Sequence, residues 1–263
     1  MKIAASDYDG TLFRDDEISE SDVEGVRRWR NAGHKFGVVT GRDYGMLMPQ
    51  LRHYGIGSDY AICNNGGLIC KADGTPLWQA EIPLSTLVDM VKEPCVRKSF
   101  HFAFSAADCT YLYHESEGSW ITREAKQWNF KIVGIHEEDI MSLPRIHQFS
   151  LGYPEPDEAA ETSRIINEKY GDVVHAYQNR CSVDVTPKGV SKRQGIEKLI
   201  FLMDWENPEV FAIGDEINDL PMIEAFQGFT VDTAREAIKA KARKTYSGVG
   251  AMLTDNITTW VKY

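Results

Sequence analysis

Short strand-like runs alternate with amphipathic helical stretches at both ends of this chain, and a segment of different texture lies between them. At the start, Ile3, Ala4 and Ala5 form an apolar run. A helical stretch follows, with Ser19 or Ser21 as its cap, Val23, Val26 and Trp29 on one face, and Gly33 as its stop. Residues 35–40 read as a buried strand closed by Gly41 and Arg42, residues 44–54 as a second helix, and residues 60–63 as the next strand. Strands and helices alternating at this spacing build βαβ units around a parallel sheet. Asn64-Asn65-Gly66-Gly67 is a turn cluster, and residues 68–78 form a hairpin around Asp73-Gly74.

The texture changes near Ile82. Pro83 and Ser85 open a helix, and aromatic strand-like stretches at 101–104, 111–114 and 146–153 mix with helices near 117–128 and 155–170. Residues 173–177 and 181–185 resemble an antiparallel pair around Asn179-Arg180. Past Pro187 the first rhythm returns. A helix over 190–203 carries the stripe Ile196, Leu199, Ile200 and Met203, and a strand over 209–213 ends in Gly214-Asp215. Helices at 220–225 and 234–242 follow, with a short strand at 229–231 between them. The expected organisation is therefore one α/β core, residues 1–81 and 188–263, interrupted by an α+β unit over 82–187.

A chain of 263 residues can bury a large core as one large or two modest domains. With 29 basic against 39 acidic residues it carries a formal charge of −10, which argues against nucleic acid or an anionic membrane as a partner, since both demand a basic face. A phosphorylated small molecule stays compatible, provided a cation sits in the site. Five cysteines, odd in number and without a Cys-x-x-Cys, argue against a disulfide framework or structural zinc. Cys63 and Cys70 read as small buried apolar residues. No leader pattern precedes Asp7, and no stretch approaches the roughly 20 apolar residues of a membrane span. A soluble cytoplasmic protein is expected.

Ser6-Asp7-Tyr8-Asp9-Gly10-Thr11-Leu12 directly follows the first apolar run. Residues two apart on a strand share a side, and Gly10 turns the chain away, which leaves both acids at a strand's carboxyl end, where open α/β sheets bind ligands. An Asp-Gly stretch alone also serves as an ordinary turn. Three further features stand at comparable places: Thr40-Gly41-Arg42, Lys192, and Gly214-Asp215-Glu216-Ile217-Asn218-Asp219. Singly, Thr40 is a strand end, Lys192 a solvated helix lysine, and the last acids helix caps. Together and in this order, they resemble the haloacid dehalogenase (HAD) superfamily, and most closely its Cof-type hydrolases with the type IIB cap. The resemblance spans the whole chain in layout and implies a Rossmann-like parallel-sheet core with an inserted α+β cap.

The resemblance implies a magnesium-dependent phosphatase acting on a small phosphorylated metabolite, in particular a sugar phosphate. Asp7 would be the nucleophile, forming an aspartyl-phosphate, and Asp9 would protonate the leaving oxygen and then activate water. Mg2+ would take the carboxylates of Asp7 and Asp215 and the backbone carbonyl of Asp9. The phosphate would be held by the Tyr8 and Gly41 N–H groups, the Thr40 hydroxyl, Lys192 and the Asn218 amide, with Asp219 ordering the loop and Lys192. Arg42 is read as bracing the rim. His101, His147 and His175 are cap residues that could contact substrate, although a structural role is the ordinary one. The basic run from Arg235 to Lys244 reads as a solvated face.

Thr233-Ala234 and Tyr246-Ser247-Gly248-Val249-Gly250 depart from the usual Cof pattern at the mouth of the site, away from the catalytic positions. One alternative is a sugar phosphomutase of the phosphomannomutase type, which needs clustered cap arginines to hold a bisphosphate. Here Arg97, Arg123, Arg145, Arg164 and Arg180 are dispersed, which favours a hydrolase. The other, a non-enzymatic phospho-receiver, normally has adjacent acids after its first strand and no insertion of roughly a hundred residues.

Overall fold

The two alternating ends of the chain meet in one sheet. In the computed structural model, which describes residues 1–257, the first segment forms β1 (Lys2–Ser6), α1 (Glu20–Asn31), β2 (Lys35–Val39), α2 (Tyr44–His53), β3 (Tyr60–Cys63), β4 (Leu68–Lys71) and β5 (Pro76–Gln79). The middle supplies α3 (Leu84–Met90), β6 (His101–Ser105), β7 (Thr110–Glu115), α4 (Ile121–Trp128), β8 (Ile132–Gly134), β9 (Gln148–Gly152), α5 (Pro156–Tyr170), β10 (Val174–Asn179) and β11 (Ser182–Pro187). The last segment adds α6 (Lys192–Leu202), β12 (Glu209–Ile213), α7 (Leu220–Ala225), β13 (Gln227–Val231), α8 (Glu236–Lys239), β14 (Lys244–Tyr246) and α9 (Val249–Asn256). Residues 258–263, the end of the expected second core segment, lie outside the described residues.

The core sheet runs β14-β13-β12-β1-β2-β3-β4-β5. It is parallel from β14 to β3, and the β4–β5 hairpin continues it antiparallel. From β1 the chain steps outward through β2 and β3, then returns beside β1 as β12 and steps outward the other way. That reversal puts a topological switch point between β1 and β12, and the crevice beyond their carboxyl ends is the expected ligand position.

Burial follows the strand period. Ile3 and Ala5 pack with Ile196 and Leu199 of α6 and Met222 of α7, whereas Ala4 packs on the opposite face with Val26 and Trp29 of α1 and Leu47 and Leu51 of α2. Ser19 caps α1 by accepting from the Asp22 N–H at 3.1 Å, and Gly33 ends the turn at φ +85°. Cys63 and Cys70 are buried in the core. The middle sheet has the order β10-β11-β9-β6-β7-β8 and its own apolar cluster around Phe102, Phe104 and Phe149. No helix among the described residues is long and apolar enough to cross a membrane.

Three elements fall where the sequence shows no periodicity: β8, β14 and α9. The expected helix at 234–242 shrinks to α8, so most of the basic run from Arg235 to Lys244 lies outside it. Strand β14 is three residues long and buries only Tyr246, too little for an alternating pattern. The stretch before α9 is glycine-rich and reads as a loop. Its glycine has a packing reason, since a Cβ on Gly25 of α1 would lie 2.4 Å from the Cα of Gly250, so the two helices touch backbone to backbone.

The junction between core and cap carries a titratable contact. Asp43 caps α2 by accepting from the Met46 N–H at 2.8 Å, and its other oxygen accepts from the Thr110 hydroxyl of β7 at 2.6 Å. Burial pushes its carboxyl up to about 6, against the opposing hydrogen bonds. A folded-state value above the unfolded one of about 3.9 means that the folded protein binds the extra proton, so stability falls as pH rises from about 4 to about 6 and stays lowered above. Asp43→Asn keeps an acceptor for the cap and cannot ionise. Its melting temperature relative to the parent is expected to rise between pH 4.5 and 7.5, by the equivalent of about 1–3 kcal/mol. A difference that stays flat across that range removes Asp43 as the cause.

Candidate active site

Strand β1 ends at Ser6. The Asp7 N–H still donates to Ile213 O at 2.9 Å, and then the Tyr8 carbonyl accepts from the N–H groups of Thr11, Leu12 and Phe13, closing a tight turn. Gly10 sits at φ +84°, and a Cβ there would come within 2.4 Å of Asp215 Oδ2. Glycine is required twice over, by the backbone and by the approaching carboxylate. Thr11 secures that approach, its hydroxyl donating to Asp215 Oδ1 at 2.7 Å.

Lys192 opens α6, whose cap Ser191 accepts from the Gln194 N–H. Its ammonium donates to Asp7 Oδ1 and to Asp219 Oδ1, both at 2.6 Å, and all three side chains are buried. The other oxygen of Asp219 accepts from the Asp215 and Glu216 N–H groups at 3.0 Å each, shaping the loop after β12. Oxygens of Asp7, Asp215 and Asp219 lie within 4.8 Å of one another.

Three buried carboxylates thus face one buried ammonium and the exposed guanidinium of Arg180, whose Nη2 lies 3.5 Å from Asp215 Oδ2. Burial and the neighbouring Asp219 and Asp215 hold the Asp7 carboxyl well above the usual carboxylate range, against the pull of Lys192. Asp215 is raised too, by burial and then by Asp219. Burial opposes the charge on Lys192, but Asp219 and Asp7 outweigh it and lift its value. The site is short of positive charge. Its donors are hard oxygens, which suit Mg2+.

Thr40 is buried just past β2, and its hydroxyl accepts from the Arg42 N–H at 3.1 Å. Arg42 grips Asp9 with two parallel contacts of 2.8 Å, Nε to Oδ2 and Nη2 to Oδ1. Thr40, Gly41, Lys192, Asn218, Asp7 and Asp9 all line one cavity of about 420 Å³ between the core and the cap. Asp215, against Gly10, and Asp219, bonded to Lys192, are buried and do not line it.

Asn218 is the residue whose surroundings sequence reasoning missed. Its Nδ2 donates to Asn65 Oδ1 at 3.1 Å. Asn65 in turn donates to Gln148 Oε1 and Asp184 Oδ2 of the cap, at 2.9 and 3.1 Å, and Gln148 donates to the Gly41 carbonyl at 2.8 Å. A continuous polar relay therefore links the loop after β12 to strands β9 and β11. Burial raises the Asp184 carboxyl, while hydrogen bonds from Ser150 and Asn65 oppose the rise. The available signal was Asn64-Asn65 itself, two asparagines with φ of 52° and 53° at a strand end, which looked only like turn chemistry.

Of His101, His147 and His175, only His101 lines the cavity; His147 bonds the Ala80 carbonyl through Nδ1, and His175 packs on Tyr177. Burial pushes His101 down to about 4, so it is neutral at neutral pH.

The model of the haloacid dehalogenase-like hydrolases matches residues 4–248, nearly the whole chain. The chain belongs to that family. Among relatives of this HAD-type hydrolase, an HMP-PP phosphatase of Yersinia pseudotuberculosis is 24% identical over 223 residues, covering 84% of this chain and 80% of the relative. A haloacid dehalogenase-like hydrolase from B. subtilis superposes with a TM-score of 0.84 at 19% identity, covering 98% of this chain and all of the other. A HAD subclass IIB sugar phosphatase superposes with a TM-score of 0.76 at 20% identity, covering 97% of each chain. The two sheets of this HAD-type hydrolase are thus the core-and-cap fold of those structures.

Proposed function

We propose that this hydrolase is a magnesium-dependent phosphatase for a small phosphorylated metabolite, with a sugar phosphate as the first substrate class to test. The observation that carries the reading is the buried Asp7–Lys192–Asp219 bridge beside Asp215, at the floor of a cavity roofed by the cap. The names of the relatives, a phosphatase of HMP-PP and a sugar phosphatase, point the same way. The reading treats residues 1–81 and 188–263 as core and 82–187 as cap.

A phosphate monoester repels nucleophiles, so its hydrolysis needs an in-line nucleophile and placed positive charge. Asp7 attacks phosphorus; the bond to the leaving oxygen breaks, and Asp9 gives that oxygen its proton. Asp9 then takes a proton from the water that cleaves the aspartyl-phosphate. Lys192, the Thr40 hydroxyl, the Asn218 amide and the Tyr8 and Gly41 N–H groups hold the phosphoryl oxygens. Asp219 keeps Lys192 and the loop after β12 in place. Asp7, Asp215 and the Asp9 carbonyl would hold Mg2+, which when bound offsets the clustered negative charge and polarises the phosphoryl group.

Purified protein is expected to hydrolyse members of a phosphorylated-metabolite panel, to stop when a chelator is added, and to recover with Mg2+. Activity indifferent to chelator would falsify the metal assignment.

A further inference from the structure

The cap helix α4 meets the core at two points. Glu124 Oε1 lies 2.6 Å from Arg42 Nη1, and one turn later Trp128 packs against Phe13, His53 and Tyr54, with ring centroids 5.5–6.5 Å apart. Arg42 is thereby held on two sides at once. Its Nε and Nη2 donate to both oxygens of Asp9, its Nη1 is ion-paired with Glu124, and its guanidinium lies 5.3 Å from the centre of the Tyr8 ring. The Arg42 and Glu124 side chains are 12% and 16% exposed, whereas Asp9 is 49% exposed. The carboxyl that serves the leaving group is thus the most exposed of the three, and both of its oxygens are held by the better buried Arg42. A planar guanidinium fork transmits orientation in a way an ammonium does not.

We infer that Glu124, carried by the cap, positions Asp9 through Arg42, so that docking of α4 on the core sets where the Asp9 carboxyl stands. This rests on the phosphatase reading and adds a device to it: the acid is aligned when the cap is seated over the substrate. Arg42 and Glu124 are positioning residues here; neither is assigned contact with the reacting atoms. When the bond from phosphorus to the leaving oxygen breaks, the electron pair stays on that oxygen and the Asp9 proton joins it. A misplaced Asp9 therefore harms esters whose leaving oxygen is strongly basic, and harms little those whose leaving group departs without a proton.

The test compares kcat/KM for a primary alkyl phosphate and for p-nitrophenyl phosphate, because kcat/KM ends at departure of the leaving group and leaves out the later hydrolysis of the aspartyl-phosphate. Glu124→Gln and Arg42→Met are each expected to lower the alkyl-to-aryl ratio of kcat/KM by at least about tenfold, a part of the roughly 10²–10⁴ that general acid catalysis contributes. Glu124→Asp should restore part of the ratio, and the double variant should lose no more than Arg42→Met alone. A ratio unchanged within twofold overturns the inference, even if both substrates slow equally, because a loosened cap or fold taxes the two esters alike. Parent protein inert on both esters overturns the phosphatase reading itself and this inference with it.

Discussion

Replacing Asp7 with Asn is expected to lower turnover of every phosphate ester by on the order of 10⁴-fold or more while the protein stays folded, because the proposed mechanism assigns in-line attack to this carboxylate. The same substitution should stabilise the metal-free protein. Asp7 is one of three buried carboxylates around a single ammonium, and its carboxyl is held well above the usual range by burial, Asp219 and Asp215. A raised folded-state value means that the folded protein binds protons more tightly than the unfolded chain, so metal-free stability falls as pH climbs through that value. Asn at this position can still accept from Lys192 and removes the charge. Denaturation without metal should therefore show Asp7→Asn more stable than the parent at neutral pH by about 1–3 kcal/mol, with the gap closing in acid. Full activity in this variant refutes the nucleophile assignment; a variant less stable than the parent at neutral pH refutes the electrostatic account of the site.

Lys192→Met should have the largest effect on stability. The ammonium is buried and bonded to Asp7 and Asp219 at 2.6 Å, and its removal leaves two buried carboxylates without their shared partner. Breaking a buried pair in this way costs about 3–5 kcal/mol, more than a methionine stem of similar volume recovers through packing. On the proposed mechanism activity should fall by about 10³-fold or more, since Lys192 is the fixed charge assigned to the phosphoryl oxygens. Adding Asp219→Asn in the Lys192→Met background should return part of the stability but none of the activity, since it removes stranded charge without supplying a cation. Urea denaturation of the four proteins of this cycle measures the coupling; additive effects of the two substitutions contradict the bridge.

Much of this was legible from local pattern. The apolar run before Asp7, the stripe Ile196-Leu199-Ile200-Met203 and the Ser19 cap are short-range features, and secondary structure answers to them directly. Where local pattern was thin, the reading failed: β14 buries a single residue, and α9 begins in a glycine-rich stretch whose purpose is contact with Gly25 far along the chain. The pairs Arg42–Glu124, Asn218–Asn65 and Asp43–Thr110 were invisible for the same reason. Each joins segments whose separation in sequence says nothing about their separation in space.

The sequence by itself determined an α/β core interrupted by an α+β insert, and the order in which Asp7, Asp9, Thr40, Gly41, Lys192, Asp215, Asn218 and Asp219 arrive at or near strand ends and helix starts. Periodicity, caps and glycine positions suffice for that, because they act over a few residues. Only the tertiary structure decided how the charges meet: that Lys192 bridges Asp7 to Asp219, and that Arg42 grips Asp9 while the cap's Glu124 grips Arg42. Burial and distance set the strength of a charge, and both arise only when segments far apart in the chain pack together.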